Sequence, residues 1–364
     1  MKKLMKELLA FAAAVCMAFT LCACSSGGDS SDAAEAEEHV STVDMYEKDG
    51  ERYVVDCLGR EVLLPREINK IASMHLYGVK MIYAMQLQDY AAFKLGIGDD
   101  FLNMPALDPD YAALPDSPAQ SNGSTITEAL LALGVNLVFT NANNGPEEAD
   151  TYANAGMAAI AVRGETFDEV YDTARMMGFI FDKPERAEEV ISFISGKLET
   201  ISDRVSSLKE KDIPSVMLCG SSGIYSVATR DMFQSEMIEY AGGTNVGAEY
   251  TGSKWAKIGA EDVINWDPEY IILSSSCTDE ELQEVLNDPA LAPVSAIQNG
   301  NVYVFPSTLG WWDFPLPQAM LGIAWLATVL HPDLFEDIDM LSLANETYEL
   351  MYGYSYTELG GELD

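Results

Sequence analysis

The feature that most restricts the fold is a pair of matching segments on either side of one long amphipathic stretch. Residues 126–140, ITEALLALGVNLVFT, and residues 259–273, GAEDVINWDPEYIIL, each set a glutamate near the start of a helical pattern that runs into a short apolar strand pattern. Setting Glu128 on Glu261 superimposes Leu130 on Val263, Leu131 on Ile264, Leu133 on Trp266 and NLVFT on EYIIL without a gap. Repetition of a helix–strand unit in the same context points to two related halves. Between them Ala187, Val190, Ile194, Leu198, Ile201, Val205 and Leu208 alternate three and four apart, which is one helical stripe. Pro184 suits its first turn, and residues 185–210 would span roughly 40 Å, about one domain diameter. The spacing predicts two lobes joined by one stiff rod.

Strand and helix patterns alternate at short intervals on both sides of the rod. This predicts an α/β fold in which each lobe has a central, mainly parallel sheet flanked by helices. In the first lobe, residues 49–165, the segment RYVVDCLGREVLLP reads as a hairpin turning at Leu58 and Gly59. KIASM, FKLGIG, the end of 126–140 and AAIAV read as strands, and HLYG as a loop before the helix VKMIYAMQL. Residues 166–212 form a helical segment containing the rod, and 213–364 a second lobe that ends in helices. The second lobe opens on SVMLCG and returns to strand at EYIIL and NVYVFP.

The N-terminus carries a basic start, an apolar run of about 14 residues and then small residues, the layout of an export signal over 1–23. Leu21 and Ala23 before Cys24 resemble a lipobox, which makes Cys24 the expected lipid attachment site. Residues 24–48, small, polar and acidic for most of their length, read as a flexible tether. An extracytoplasmic location, held to the outer face of the cell membrane by lipid, follows from these expectations. With 58 acidic against 21 basic side chains, the formal charge of −37 repels phosphate backbones and excludes nucleic acid as a partner. Cys57, Cys219 and Cys277 are an odd set without metal-ligand spacing, and no disulfide framework is expected.

An enzyme is not expected. The chain has no HExxH, no GxSxG in a strand–turn–helix setting, and in GAEYTGSKW Ser253 separates Gly252 from Lys254, which breaks the phosphate-loop pattern. Three histidines, His39, His75 and His331, are too few for a bare zinc or manganese site, so no directly bound metal and no resident cofactor is expected.

From DCLGREVLLPREINKIASM through AGGTNVGAEYTGSKWAKIGAEDVINWDPEYIIL and AIQNGNVYVFP to WDFPLPQAMLGIAWLATVLHPDLF, the chain resembles ABC-importer substrate-binding lipoproteins. The type is the one for iron complexes (siderophore, heme, corrinoid) with a rigid interlobe helix. The likeness covers nearly everything from about residue 52 to 338. The first repeat departs from the usual KPDLV, having GVNLV, while its glutamate stays in register. The resemblance implies a monomer with a ligand cleft between its lobes, working with an ABC permease dimer and its cytoplasmic ATPase. It also implies that Glu128 and Glu261, one on each lobe, dock onto arginines of that permease. A carboxylate at a helix start is stabilised by the dipole and can accept a bidentate arginine.

Loops after strand ends are where an α/β scaffold presents ligand groups. In the first lobe these include Met74, His75, Tyr77, Asp99, Phe101, Asn122, Ser124, Asn141 and Asn143, with His75 a candidate axial ligand to heme iron or corrinoid cobalt. The second lobe offers Ser221, Tyr225, Arg230, Lys254, Trp255, Trp311, Trp312 and Phe314. Flat aromatic walls beside Arg230 or Lys254 suit a planar or catecholate metal chelate carrying negative charge. An iron–siderophore stands ahead of heme or a corrinoid, and permease-independent capture of heme or a corrinoid is the alternative of another class.

Overall fold

The computed structural model describes residues 41, 43–95, 107–118, 124–252, 254–306 and 308–363. Cys24, Asp99, Phe101, Asn122 and the signal segment lie outside the described residues, as does the side chain of Ser124.

The first lobe begins with an antiparallel meander, β1 (Asp44–Lys48), β2 (Glu51–Val55) and β3 (Glu61–Leu63). Asp49 and Gly50 join the first two strands with φ of 56° and 79°, the positive values a two-residue hairpin turn needs. β1 therefore belongs to the fold, five residues ahead of the expected tether boundary at 48. The turn at Leu58–Gly59 is as expected, and a buried carboxylate fixes it. Asp56 accepts the Leu58 and Arg60 backbone N–H groups at 3.0 Å each, and its other oxygen accepts the Ala161 N–H at 3.0 Å. The meander is thereby fastened to the sheet.

That sheet is parallel, in the order β4 (Lys70–Ser73), β5 (Val135–Asn141), β6 (Ala158–Val162). Its strands are short, almost uninterrupted apolar runs because both faces are covered by helices. Those helices include α1 (Leu76–Ala84), α3 (Ser124–Ala132) and α4 (Pro146–Asn154), while the short α2 (Pro109–Ala113) lies in the crossover between β4 and β5. The strand expected at FKLGIG is not formed over its described part. A single bridge pairs Ala91 with Ile71, and Phe93 and Leu95 are buried in the core without a ladder.

The second lobe holds a mixed sheet ordered β10 (Ala256–Lys257), β8 (Ser226–Val227), β7 (Ser215–Cys219), β11 (Tyr270–Leu273), β12 (Val302–Val304), with β9 (Thr244–Asn245) on the start of β7. β7, β11 and β12 are parallel, whereas β8 and β10 form an antiparallel edge. Each lobe thus contains a three-strand parallel unit whose central strand, β5 or β11, follows a helix bearing one of the paired glutamates.

Two helices lead into the second lobe, α5 (Phe167–Ile180) and α6 (Pro184–Val205). α6 is the rod. It begins on Pro184, as expected, but ends at Val205, so its 22 residues span about 33 Å. Ala187, Val190, Ile194, Leu198 and Ile201 are buried, together with Ile191. The rod packs on α5 and also on α7 (Phe233–Tyr240) and α11 (Met320–Leu330) of the second lobe. Arg186 secures it further. Its Nε donates to the Ala84 carbonyl that ends α1 at 2.8 Å, and its Nη2 to Leu350 in α12 (Met340–Tyr352) at 2.6 Å. Among the described residues no helix is long and apolar enough to cross a membrane.

Candidate functional site

In the first lobe the ends of β4, β5 and β6 converge on the start of α1. HLYG is the N-cap and first turn of that helix, not a free loop, and this decides where its side chains go. His75 is the N-cap, and its Nε2 is buried without a hydrogen-bond partner. That atom would lie only 2.9 Å from a Cβ at Gly78, so the imidazole lies back against its own helix. Burial pushes its pKa down to about 4, against a weaker opposing effect of the Thr140 backbone, and the ring is neutral at ordinary pH. Tyr77 is buried with its ring against the backbone of Gly164, where any side chain would collide with it. The two rings stand 6.3 Å apart, and the Tyr77 hydroxyl, like His75 Nε2, is buried without a hydrogen-bond partner among the described residues. Asn143 is exposed, but its Nδ2 donates to Glu165 at 2.8 Å, tying the loop after β5 to the loop after β6.

The second lobe behaves differently. Trp255 lies over the end of β7, where its ring would come within 2.6 Å of a Cβ at Gly220, so that glycine makes room for the indole. Tyr225 donates its hydroxyl to Asp288 at 3.0 Å. Arg230 and Lys254 are exposed on neighbouring segments, linked through the Arg230 N–H and the Tyr250 carbonyl at 3.0 Å. Neither side chain has an ion pair among the described residues.

The loop after β12 separates two adjacent tryptophans. Leu309 and Gly310 take φ of 61° and 122°, and beyond this bend Trp311 is 41% exposed while Trp312 is 0% exposed. Trp311 meets the exposed Phe314 edge-on at 5.4 Å. Trp312 packs on Tyr356 at 5.9 Å in the core, so its expected place in a ligand wall is corrected. Sequence reasoning passed over the group that holds this loop down. The carboxylate of Asp313 accepts the Ser275 N–H at 3.2 Å and the Ser275 hydroxyl, and its backbone oxygen accepts Gln234 Nε2 at 2.7 Å. The serine run directly after β11 was the available signal. Burial raises the pKa of Asp313 even though Ser275 and Ser274 favour its ionised form. Among the described residues no three His, Cys, Asp or Glu side chains are grouped as a metal site, and the three thiols are unpaired.

Glu128 and Glu261 are both exposed and have no hydrogen bond or ion pair among the described residues. Their settings differ in one respect. Glu261 is the second residue of α8 (Ala260–Trp266), whereas Glu128 is the fifth of α3, too far along to feel much of the helix-start field. At α8 the capping is done by Asp262, which accepts the Gly259 N–H at 2.8 Å and leaves Glu261 unengaged. Three residues after each glutamate stands an exposed apolar side chain, Leu131 at 45% and Ile264 at 40%. A spacing of three puts each pair on one helix face.

Comparison with known proteins agrees with this architecture. Molybdate-binding protein MolA of Haemophilus influenzae is 25% identical over 84% of this chain and 92% of its own length. The structure of MolA bound to molybdate superimposes with a TM-score of 0.68 at 20% identity, covering 84% of this chain and 99% of that one. The uncharacterized ABC transporter substrate-binding lipoprotein YvrC of Bacillus subtilis is 21% identical over 78% of this chain and 86% of its own. Helicobacter pylori CeuE with Ni(II) bound gives a TM-score of 0.65 at 20% identity, covering 85% and 98%. The family model described as periplasmic binding protein matches residues 120–309, just over half of the chain. The chain belongs to the periplasmic binding protein family.

Proposed function

We propose that this protein is the extracytoplasmic substrate-binding component of an ABC importer and that it captures a metal chelate, an iron–siderophore foremost. Cys24 would carry the lipid that keeps it at the membrane. The observation that carries the cargo reading is local. On a chain of net charge −37, the second lobe exposes the cations Arg230 and Lys254, which have no ion pair among the described residues, together with the aromatic pair Trp311 and Phe314. A flat anionic chelate gains from both, through stacking on the rings and attraction to the cations. Trp255 adds a third ring. The inward Nε2 of His75 removes the first-lobe nitrogen that axial ligation of heme or a corrinoid would use, so those cargoes have less support.

Delivery rests on Glu128 and Glu261. Each sits on the helix before the central strand of its lobe's parallel unit, without an ion pair among the described residues and flanked by one exposed apolar residue. A twofold permease with a basic, partly apolar socket on each half would meet both at once, and arginine suits the carboxylates.

A second reading, a simple oxyanion as cargo, is favoured by the likeness to MolA, a molybdate-binding protein. Native mass spectrometry after incubation with ferric siderophores, heme, cobinamide, cobalamin and molybdate decides between them. Retention of a ferric siderophore is the expected result, and retention of molybdate alone would overturn the chelate reading.

A further inference from the structure

Lys80 belongs to the second turn of α1 in the first lobe and is 0% exposed. Its Nζ lies 3.4 Å from the carbonyl oxygen of Leu309, on the second-lobe loop that carries Trp311 and Phe314. The same ammonium stands 5.4 Å from the ring centroid of Tyr352 on α12. Tyr348, one turn earlier on α12, donates its hydroxyl to the same Leu309 carbonyl at 3.0 Å. Two donors from opposite lobes therefore hold one oxygen.

That oxygen belongs to an unusual residue. Leu309 has φ of 61°, a left-handed value that a branched side chain resists and that persists only where the surroundings enforce it. Gly310 follows at φ 122°, and a Cβ there would come within 3.3 Å of the Lys80 ammonium, so the close approach depends on glycine. Taking an ammonium out of water opposes folding, and apolar packing alone gives no reason to keep one there. One thing it fixes through Leu309 is the bend that turns Trp311 outward and Trp312 inward.

We propose that Lys80 is a positioning residue for the ligand wall: together with Tyr348 it clamps the Leu309 carbonyl, so that a first-lobe side chain sets the orientation of Trp311 and Phe314 in the second lobe. This rests on the reading of that aromatic pair as part of the cargo site. It also makes the wall preorganised and couples its geometry to the relative placement of the lobes. Any shift of α1 against α12 would pull on the bend.

The test uses full-length protein, its Tyr348→Phe and Lys80→Met variants, and a ferric tris-catecholate complex as probe. Hydrogen exchange without ligand is expected to accelerate about fivefold or more over residues 308–314 in both variants, with β7 and β11 unchanged. Affinity for the ferric catecholate should fall about tenfold. Tyr348→Phe removes one donor and adds no bulk, which keeps the test decisive if Lys80→Met does not fold. Exchange over 308–314 that stays at the wild-type rate overturns the clamp. Faster exchange with unchanged affinity overturns its role in the ligand wall. Failure of the wild type to bind the complex overturns the chelate reading instead, and the exchange rates then judge the clamp alone.

Discussion

The two lobes are alike where they carry the paired glutamates and unlike where they would meet a ligand. On the first surface each contributes a helix, a free carboxylate and an exposed apolar neighbour, Leu131 or Ile264, ahead of the central strand of a parallel unit. At the strand ends the symmetry fails. The first lobe turns His75 and Tyr77 inward and ties Asn143 to Glu165, whereas the second exposes Trp311, Phe314, Arg230 and Lys254. On the proposed function, the difference teaches that a shared scaffold keeps the paired glutamates alike while cargo contacts would be concentrated in one half. In that reading the fixed strand ends of the first lobe would form a rigid floor. Interlobe packing through α6, Arg186 and Lys80 keeps that floor in place.

The strongest way to sharpen the contrast is to truncate adjacent tryptophans. Trp312→Ala removes a fully buried ring and should cost about 3–5 kcal/mol in chemical denaturation. Trp311→Ala should change stability by no more than about 0.5 kcal/mol while weakening chelate binding about tenfold. Equal stability losses at both positions would break the assignment of one ring to core and the other to cargo.

The docking symmetry is tested by reversing both charges. Glu128→Lys with Glu261→Lys should reduce uptake by at least about tenfold, as loss of two charge-assisted contacts implies, with cargo affinity of the soluble protein unchanged. Normal transport by the double variant would remove the docking role.

His75 gives a pH signature of the rigid floor. Its folded pKa of about 4 lies below the ordinary value of 6.5, so between these limits the unfolded chain binds more protons and stability rises with pH. Stability should therefore be lost as pH falls from 6.5 through 4, and His75→Gln should flatten that part of the profile. A His75 imidazole that titrates near 6.5 by NMR would show that the ring faces water.

The smallest effect concerns the apolar neighbours. Leu131→Ser with Ile264→Ser should alter stability by no more than about 0.5 kcal/mol and lower uptake about threefold. Unchanged uptake would confine docking to the carboxylates.

Periodicity made the rod legible, because burial of Ala187, Val190, Ile194, Leu198 and Ile201 needs only a stripe that any helix would display. Its end was less clear. Val205 and Leu208 continue the apolar spacing, yet the helix stops at Val205, an end that spacing alone does not signal. FKLGIG looked like a strand since apolar residues bury equally well without a ladder, and β1 was missed because Asp44–Lys48 is too short and polar to declare itself. Trp311, Arg230 and Lys254 are exposed in the second lobe, as loop residues of their types suggest. Trp312, His75 and Tyr77 are not, since their directions depend on partners far away in the chain.

By itself the sequence determined the alternation of strands and helices, the single rod and the register of Glu128 with Glu261. These follow from local spacing, which one segment can satisfy alone. Only the tertiary structure decided which side chains face outward. A bend at Leu309 and Gly310, a helix cap at His75 and a lysine from the opposite lobe set those directions, and each depends on contacts between residues that sequence order keeps apart.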